Sequence, residues 1–429
     1  MKVKKLLVIQ VAALGENLAV HASERWGAGW FPLEATFPAL TCPVQAAFRT
    51  GKAVSDHGMV ANGLYFRDLE KVLFWEQSAG LVEGERIWER FRAAGGTVGL
   101  LFWQQSLGES AEVVVSPAPI HKHSGGMIQS LYSEPASLAS TLEVGVGHRF
   151  NLMHYWGPLA SARSTEWIVE ALLYGLEAEL LPALTLAYLP HLDYGLQKKG
   201  PKGDGIQGEV VRLLGWLDRL EQAAGAAGYD VVVFGDYAIE EVTGGPLFPN
   251  RVLREAGLLR VREVSGMEYL DLVGSQAFAV ADHQIAQVYV RSAEALKRAR
   301  SVLGQMDGVA EVLDRSEQAT RGVAHRHSGD LWLVAAPGFW FAYPWFEGRS
   351  RAPDYATHVD IHNKPGFDPC ELFWGWPPGA ISLDARKVRG THGRVGSGMR
   401  VMARSSFSFE GQVKDVAGLG QGIGRWLKS

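Results

Sequence analysis

Cysteine is scarce in this 429-residue chain, which contains only Cys42 and Cys370. Two thiols build no disulfide framework, and their separation matches no CxxC metal pattern, so neither a stapled scaffold nor a cysteine zinc site is expected. Blocks of like charge are also missing: the net charge is -4 and the isoelectric point lies near 6.4. That balance gives no footprint for nucleic acid or an anionic membrane surface. No apolar run approaches the ~20 residues of a membrane-spanning helix. Internal repeats and low-complexity linkers are absent from the sequence as well.

What is present is apolar content, 47%, enough for a large buried core. Met1 to Lys5 is basic and Leu6 to Gly15 apolar, as in a secretion signal. Ala19 and Ala22, however, lack the spacing of an A-x-A cleavage box. We read Leu6 to Ala13 instead as a first strand buried on both faces of a parallel sheet, and expect a cytoplasmic protein. Further strand-like runs fall at Thr97–Trp103, Leu184–Leu189 and Asp230–Phe234. Helical spacing marks Glu83–Ala94, Ser164–Leu181 and Gly208–Ala227, the last with a stripe of Val211, Leu214, Leu217 and Leu220. The alternation predicts an α/β sandwich over residues 1–274. An α+β insert is expected over 275–345, with a strand at Gln284–Val290, a helix at Ser292–Gly304 and strands at Ala310–Leu313 and Leu331–Ala335. Residues 346–429 then return to the core through a β-prone stretch, Met399–Phe409.

The chemistry concentrates in Thr36 to Asp68, TFPALTCPVQAAFRTGKAVSDHGMVANGLYFRD. A Thr-Cys-Pro step opens a helix that ends near Thr50-Gly51, and a loop then reaches His57-Gly58-Met59. A hydroxyl at a helix N-terminus faces unpaired N–H groups and the positive end of the dipole, a setting suited to a phosphoryl group. The plainer reading is that Thr41 caps its helix and Asn62-Gly63 is a turn pair. Taken together, Thr41, Pro43, Thr50-Gly51, His57-Gly58-Met59 and Asn62 resemble the signature of the type I phosphodiesterase/nucleotide pyrophosphatase family of the alkaline phosphatase superfamily. The similarity runs from about Lys5 to Val395 and is nearest to a bacterial, operon-encoded subgroup in which the strand-one Asp is likewise absent.

That resemblance implies a three-layer α/β sandwich with a mostly parallel central sheet and a small inserted cap. It implies Thr41 as nucleophile, passing through a phosphothreonine, and Asn62 as donor to a nonbridging phosphate oxygen. It also implies two divalent ions, by similarity zinc, held by Asp and His at strand ends. On this sequence those positions are Asp193, Asp236 and His392, with Gln197, Tyr237 and Ala12 where the family has His, His and Asp, Gln197 remaining a candidate weak oxygen ligand. An Ala, a Gln and a Tyr weaken zinc binding, leaving one ion, a harder ion such as Mg²⁺ or Mn²⁺, or replacement ligands.

Replacement candidates are His191, the pair Asp282-His283, and His362 with Asp360 in VDIHNKPGFDPCEL, where Lys364 is a candidate for substrate phosphate. His57 is expected to be structural, and His121 and His123 to lie in a loop. Trp340, Trp345, Trp374 and Trp376 suit either an apolar substrate wall or core packing. The expected function is metal-dependent hydrolysis of a phosphate monoester or diester of a small organic molecule. Its rivals are a degenerate relative that binds a phosphorylated ligand and a phosphotransferase or mutase using the same threonine.

Overall fold

Twelve strands and six helices carry the architecture, and a computed structural model describes residues 4–21, 23–26, 29–123 and 126–428, the His121 side chain apart. Ala22 therefore lies outside the described residues. The strands are β1 Leu6–Val11, β2 Trp30–Leu33, β3 Val98–Leu101, β4 Val113–Pro117, β5 Leu131–Glu134, β6 Leu184–Leu189, β7 Asp230–Gly235, β8 Ala277–Asp282, β9 Ile285–Val290, β10 Val309–Leu313, β11 Leu331–Ala335 and β12 Val401–Ser405. The helices are α1 Thr41–Thr50, α2 Ala162–Glu177, α3 His191–Lys199, α4 Ile206–Ala226, α5 Ala293–Leu303 and α6 Val416–Trp426.

Strand β1 is buried along its whole length because both of its faces are covered. Leu7, Ile9 and Val11 pack with Leu172 of α2 and with Leu213 and Leu217 of α4. Leu6 and Val8 pack with Val44 and Phe48 of α1 and with Leu419 and Ile423 of α6. The period of two thus sends alternate residues into two helical layers, completing a three-layer sandwich. Gln10 is the polar exception in this strand and is fully buried.

The main sheet runs β2-β12-β7-β1-β6-β3-β4-β5. Its centre, β7 through β4, is parallel, with Leu6 opposite both Leu184 and Asp230. Antiparallel strands flank this centre on both sides. The ends of β1, β6 and β7 therefore open onto one edge, where an α/β sheet places its ligands.

A second sheet, β8-β9-β11-β10, is antiparallel. Its Ile285, Trp332 and Val334 pack against Cys42 and Ala46 of α1, while Ala286, Val288 and Leu333 pack in the cluster that contains Leu303 of α5. This contact brings the second sheet down onto the start of α1.

Several local expectations change. The helix expected over Glu83–Ala94 is reduced to Glu89–Ala93, because Gly84 sits at φ 98° and the Arg86 guanidinium binds the Val82 and Gly84 carbonyls. Val211 is 39% exposed, and the buried stripe of α4 is Val210, Leu213, Leu214, Leu217 and Leu220. His121 belongs to a two-residue strand paired with Met127–Ile128, not to a loop. The β-prone Met399–Phe409 stretch is a strand over Val401–Ser405 alone.

Candidate active site

Thr41 is the first residue of α1, and the cap position belongs to Leu40, which is extended and gives no side-chain bond. The capping role for Thr41 is thereby set aside. The helix closes where the sequence suggests, at Gly51 with φ 64°. Its first turn offers fewer free donors than expected, since Pro43 has no N–H and that of Cys42 donates to Asn62 Oδ1 at 3.0 Å. Asn62 is occupied on its other side too. Its backbone N–H and its Nδ2 donate to the two oxygens of Asp282, at 2.8 and 3.2 Å. The amide that the resemblance aims at phosphate thus holds a carboxylate from the end of β8.

Asp193 lies in the first turn of α3, 3.9 Å from His392, and Asp236 follows directly on β7. Asp193 accepts the Tyr237 phenol on Oδ1 at 3.0 Å and the Gln197 amide on Oδ2 at 2.6 Å. Asp236 accepts the N–H groups of Ala13 and Tyr237 on Oδ1, both at 2.9 Å, and Gln10 Nε2 on Oδ2 at 3.3 Å. Thr41 lies next to the phenols of Tyr188 and Tyr237. His392 uses Nδ1 on the Ala39 carbonyl at 2.7 Å, and its Nε2 stands 3.9 Å from Asp193 Oδ1.

Four rings form a column through this locus. Tyr237 stacks on His392 at 3.5 Å, His392 meets His283 at 3.8 Å, and His283 stacks on Phe367 at 3.8 Å. His283 Nδ1 bonds Asp282 Oδ1 at 2.8 Å. Thr41, Asn62, Asp193, Asp236, Tyr237, Asp282, His283 and His392 are each buried.

Burial governs the electrostatics. It pushes the Asp193 carboxyl up to about 7 against the pull of the Tyr237 and Gln197 bonds, and Asp282 likewise to about 7. It raises Asp236 well above the carboxylate range and drives His392 and His283 well below the imidazole range, so both rings are neutral. Among the described residues none of the three carboxylates pairs with a lysine or an arginine.

These residues do not fit a two-ion centre. Each oxygen of Asp193 and Asp236 already accepts a protein donor, those of Asp193 from Tyr237 and Gln197, which stand where the resemblance implies imidazoles. The Nε2 atoms of His392 and His283 have no partner and belong to rings packed 3.8 Å apart at an interplanar angle of 38°. Among the described residues no three His, Cys, Asp or Glu side chains gather to hold an ion.

Of the replacement candidates, only Asp282-His283 joins the locus. His191 instead packs edge-on against Trp216 at 5.3 Å and stands 3.8 Å from Glu209. His362 contacts the Phe74 carbonyl at 3.0 Å. Lys364 is buried between Asp368 and Glu371, 2.7 Å from each, and is thus committed to that pair and not to a substrate phosphate. Asp360 binds the Asn363 amide. Trp340 and Trp345 are core residues, whereas Trp374 and Trp376 are exposed. The sequence reading missed Gln10, Tyr188 and Phe367. Of these only Gln10, polar inside the run LLVIQV, carried a legible signal.

The family model described as type I phosphodiesterase/nucleotide pyrophosphatase matches residues 27–368. Among solved structures the chain is similar to phosphonoacetate hydrolase from Sinorhizobium meliloti in complex with phosphonoformate, at 15% identity and a TM-score of 0.64, covering 100% of this chain and 96% of the other. It is similar also to murine ectonucleotide pyrophosphatase/phosphodiesterase 5, at 14% identity and a TM-score of 0.59, covering 99% and 95%. The human counterpart gives 13% identity and a TM-score of 0.63, again over 99% and 95%. At such identities the likeness establishes the fold. No curated protein matches by sequence.

Proposed function

Because the chain belongs to the type I phosphodiesterase/nucleotide pyrophosphatase family, we propose that it is a member in which the hydrolytic centre has become a hydrogen-bonded core, so that it acts by binding and not by ester hydrolysis. The observation that carries this reading is the state of Asp193, whose two oxygens take the Tyr237 hydroxyl and the Gln197 amide. A phosphoryl group entering beside Thr41 would meet three carboxyl groups, no paired cation and an Asn62 amide already spent on Asp282. Developing negative charge there would lack the donors that transition-state stabilisation requires.

A second reading rests on one feature, the Tyr237 phenol, which lies next to Thr41 and donates to Asp193. A carboxyl near 7 suits a general base. In that reading the Thr41 proton passes to the phenol oxygen as the phenol proton moves to Asp193, Thr41 Oγ bonds phosphorus, and the ester oxygen leaves and takes up a proton from water. Water, or an acceptor alcohol in a transferase, would then release the phosphothreonine.

A panel of phosphomonoesters, phosphodiesters and phosphonates, run on wild type and Thr41→Ala, separates the two readings. The leading one expects no turnover above the Thr41→Ala background and no labelled covalent adduct. A burst of phosphothreonine abolished by Thr41→Ala overturns it in favour of the second.

A further inference from the structure

Away from Thr41, a surface cavity of about 590 Å³ lies where the start of the helix Pro249–Glu255, the loop around Arg349 and the segment 374–387 meet. Its size falls within the roughly 300–1,000 Å³ of small-molecule sites. None of the residues of the Thr41 locus lines it.

Its walls are aromatic and open to solvent. Trp374 is 50% exposed and Trp376 78%, although an indole is among the costliest surfaces to leave in water. Their presentation is built into the fold. The Gly375 N–H donates to the Ala380 carbonyl at 2.8 Å, and Trp374 bridges to Ile381. A Cβ on Gly375 would stand 2.1 Å from the Ile381 carbonyl oxygen, so only glycine passes between the two indoles.

The rim is cationic. Arg349 bonds the Trp376 carbonyl, and Lys387 Nζ bonds that of Trp374 at 3.3 Å, which ties both cations to the backbone of the two tryptophans. Arg251 lies over the Phe248 ring at 4.0 Å, with its Nε buried and unpartnered. The one acid in the lining, Asp384, is bound by Arg386 at 2.7 and 3.1 Å.

We propose that this cavity binds a planar aromatic ligand bearing an anionic group. The ring stacks on Trp376 and Trp374, and the anion sits against Arg349 and Lys387. Stacking and cation contacts supply the attraction, and the fixed cations select charged over neutral ligands. The proposal is independent of whether Thr41 reacts.

Calorimetric titration with naphthalenesulfonate and with uncharged naphthol tests it. Wild type binds the sulfonate about tenfold more tightly than the naphthol, a difference of the size expected for one charge-assisted contact. Trp376→Ala weakens both ligands about tenfold. Arg349→Gln weakens the sulfonate several-fold toward the naphthol level, Lys387 keeping the remainder, and leaves the naphthol unchanged. Both side chains are exposed, so the thermal midpoints of the variants track wild type. Absence of sulfonate binding, equal affinity for the two ligands, or variants that titrate like wild type would overturn the proposal.

Discussion

Asp193 is buried with both of its oxygens hydrogen-bonded, to the Tyr237 hydroxyl and the Gln197 amide. Burial lifts its carboxyl from 3.8 to about 7, so the folded state holds the proton more tightly than the unfolded one. Its contribution to stability is then most favourable below the unfolded value, declines as pH rises through that window, and reaches its full penalty above about 7. Asp193→Asn removes the penalty. Gln197 Oε1 has no partner, so a flipped amide accepts the new N–H. Chemical denaturation is expected to show the variant more stable than wild type at about pH 8, by an amount on the order of a few kcal/mol, with little gain at about pH 4. A loss at the higher pH would mean that the carboxylate serves an ion. The missing ligands at Ala12, Gln197 and Tyr237 were legible in the sequence. Their replacement was not, because a tyrosine's choice of a carboxylate 44 residues away follows from tertiary packing.

At the level of elements, strands were the more legible. Leu184–Leu189 is found as read and β1 and β7 to within two residues, because strands covered on both faces are continuous apolar runs. The phase of α4 was harder to read, since several apolar residues crowd its register and Val211 competes with Val210 for the buried face. The two positions make a direct comparison. Leu217→Ala, at a fully buried site between α4 and β1, is expected to cost about 2–5 kcal/mol in equilibrium unfolding. Val211→Ala, half-exposed, should stay within about 0.5 kcal/mol. Equal costs would contradict the packing described for α4. Glu83–Ala94 misled for another reason: helical spacing there could not reveal that Arg86 spends its guanidinium on the carbonyls of the preceding turn.

Over the whole molecule, the family's sandwich is kept, and the proposal is that its chemical edge is rebuilt. The second sheet packs onto the start of α1 beside that edge. Three donors and a column of rings stand where the resemblance implies ions. No helix among the described residues is long and apolar enough to cross a membrane. The segment Leu6–Val11, signal-like in composition, is paired on both edges at the centre of the sheet. The central claim is that this edge holds no ion, and metal stoichiometry tests it most directly. Protein purified without chelators, saturated with zinc or manganese and dialysed exhaustively, should retain far less than one equivalent per chain by elemental analysis. Retention of about one or two equivalents, lost in Asp193→Asn and His392→Ala, would contradict the account.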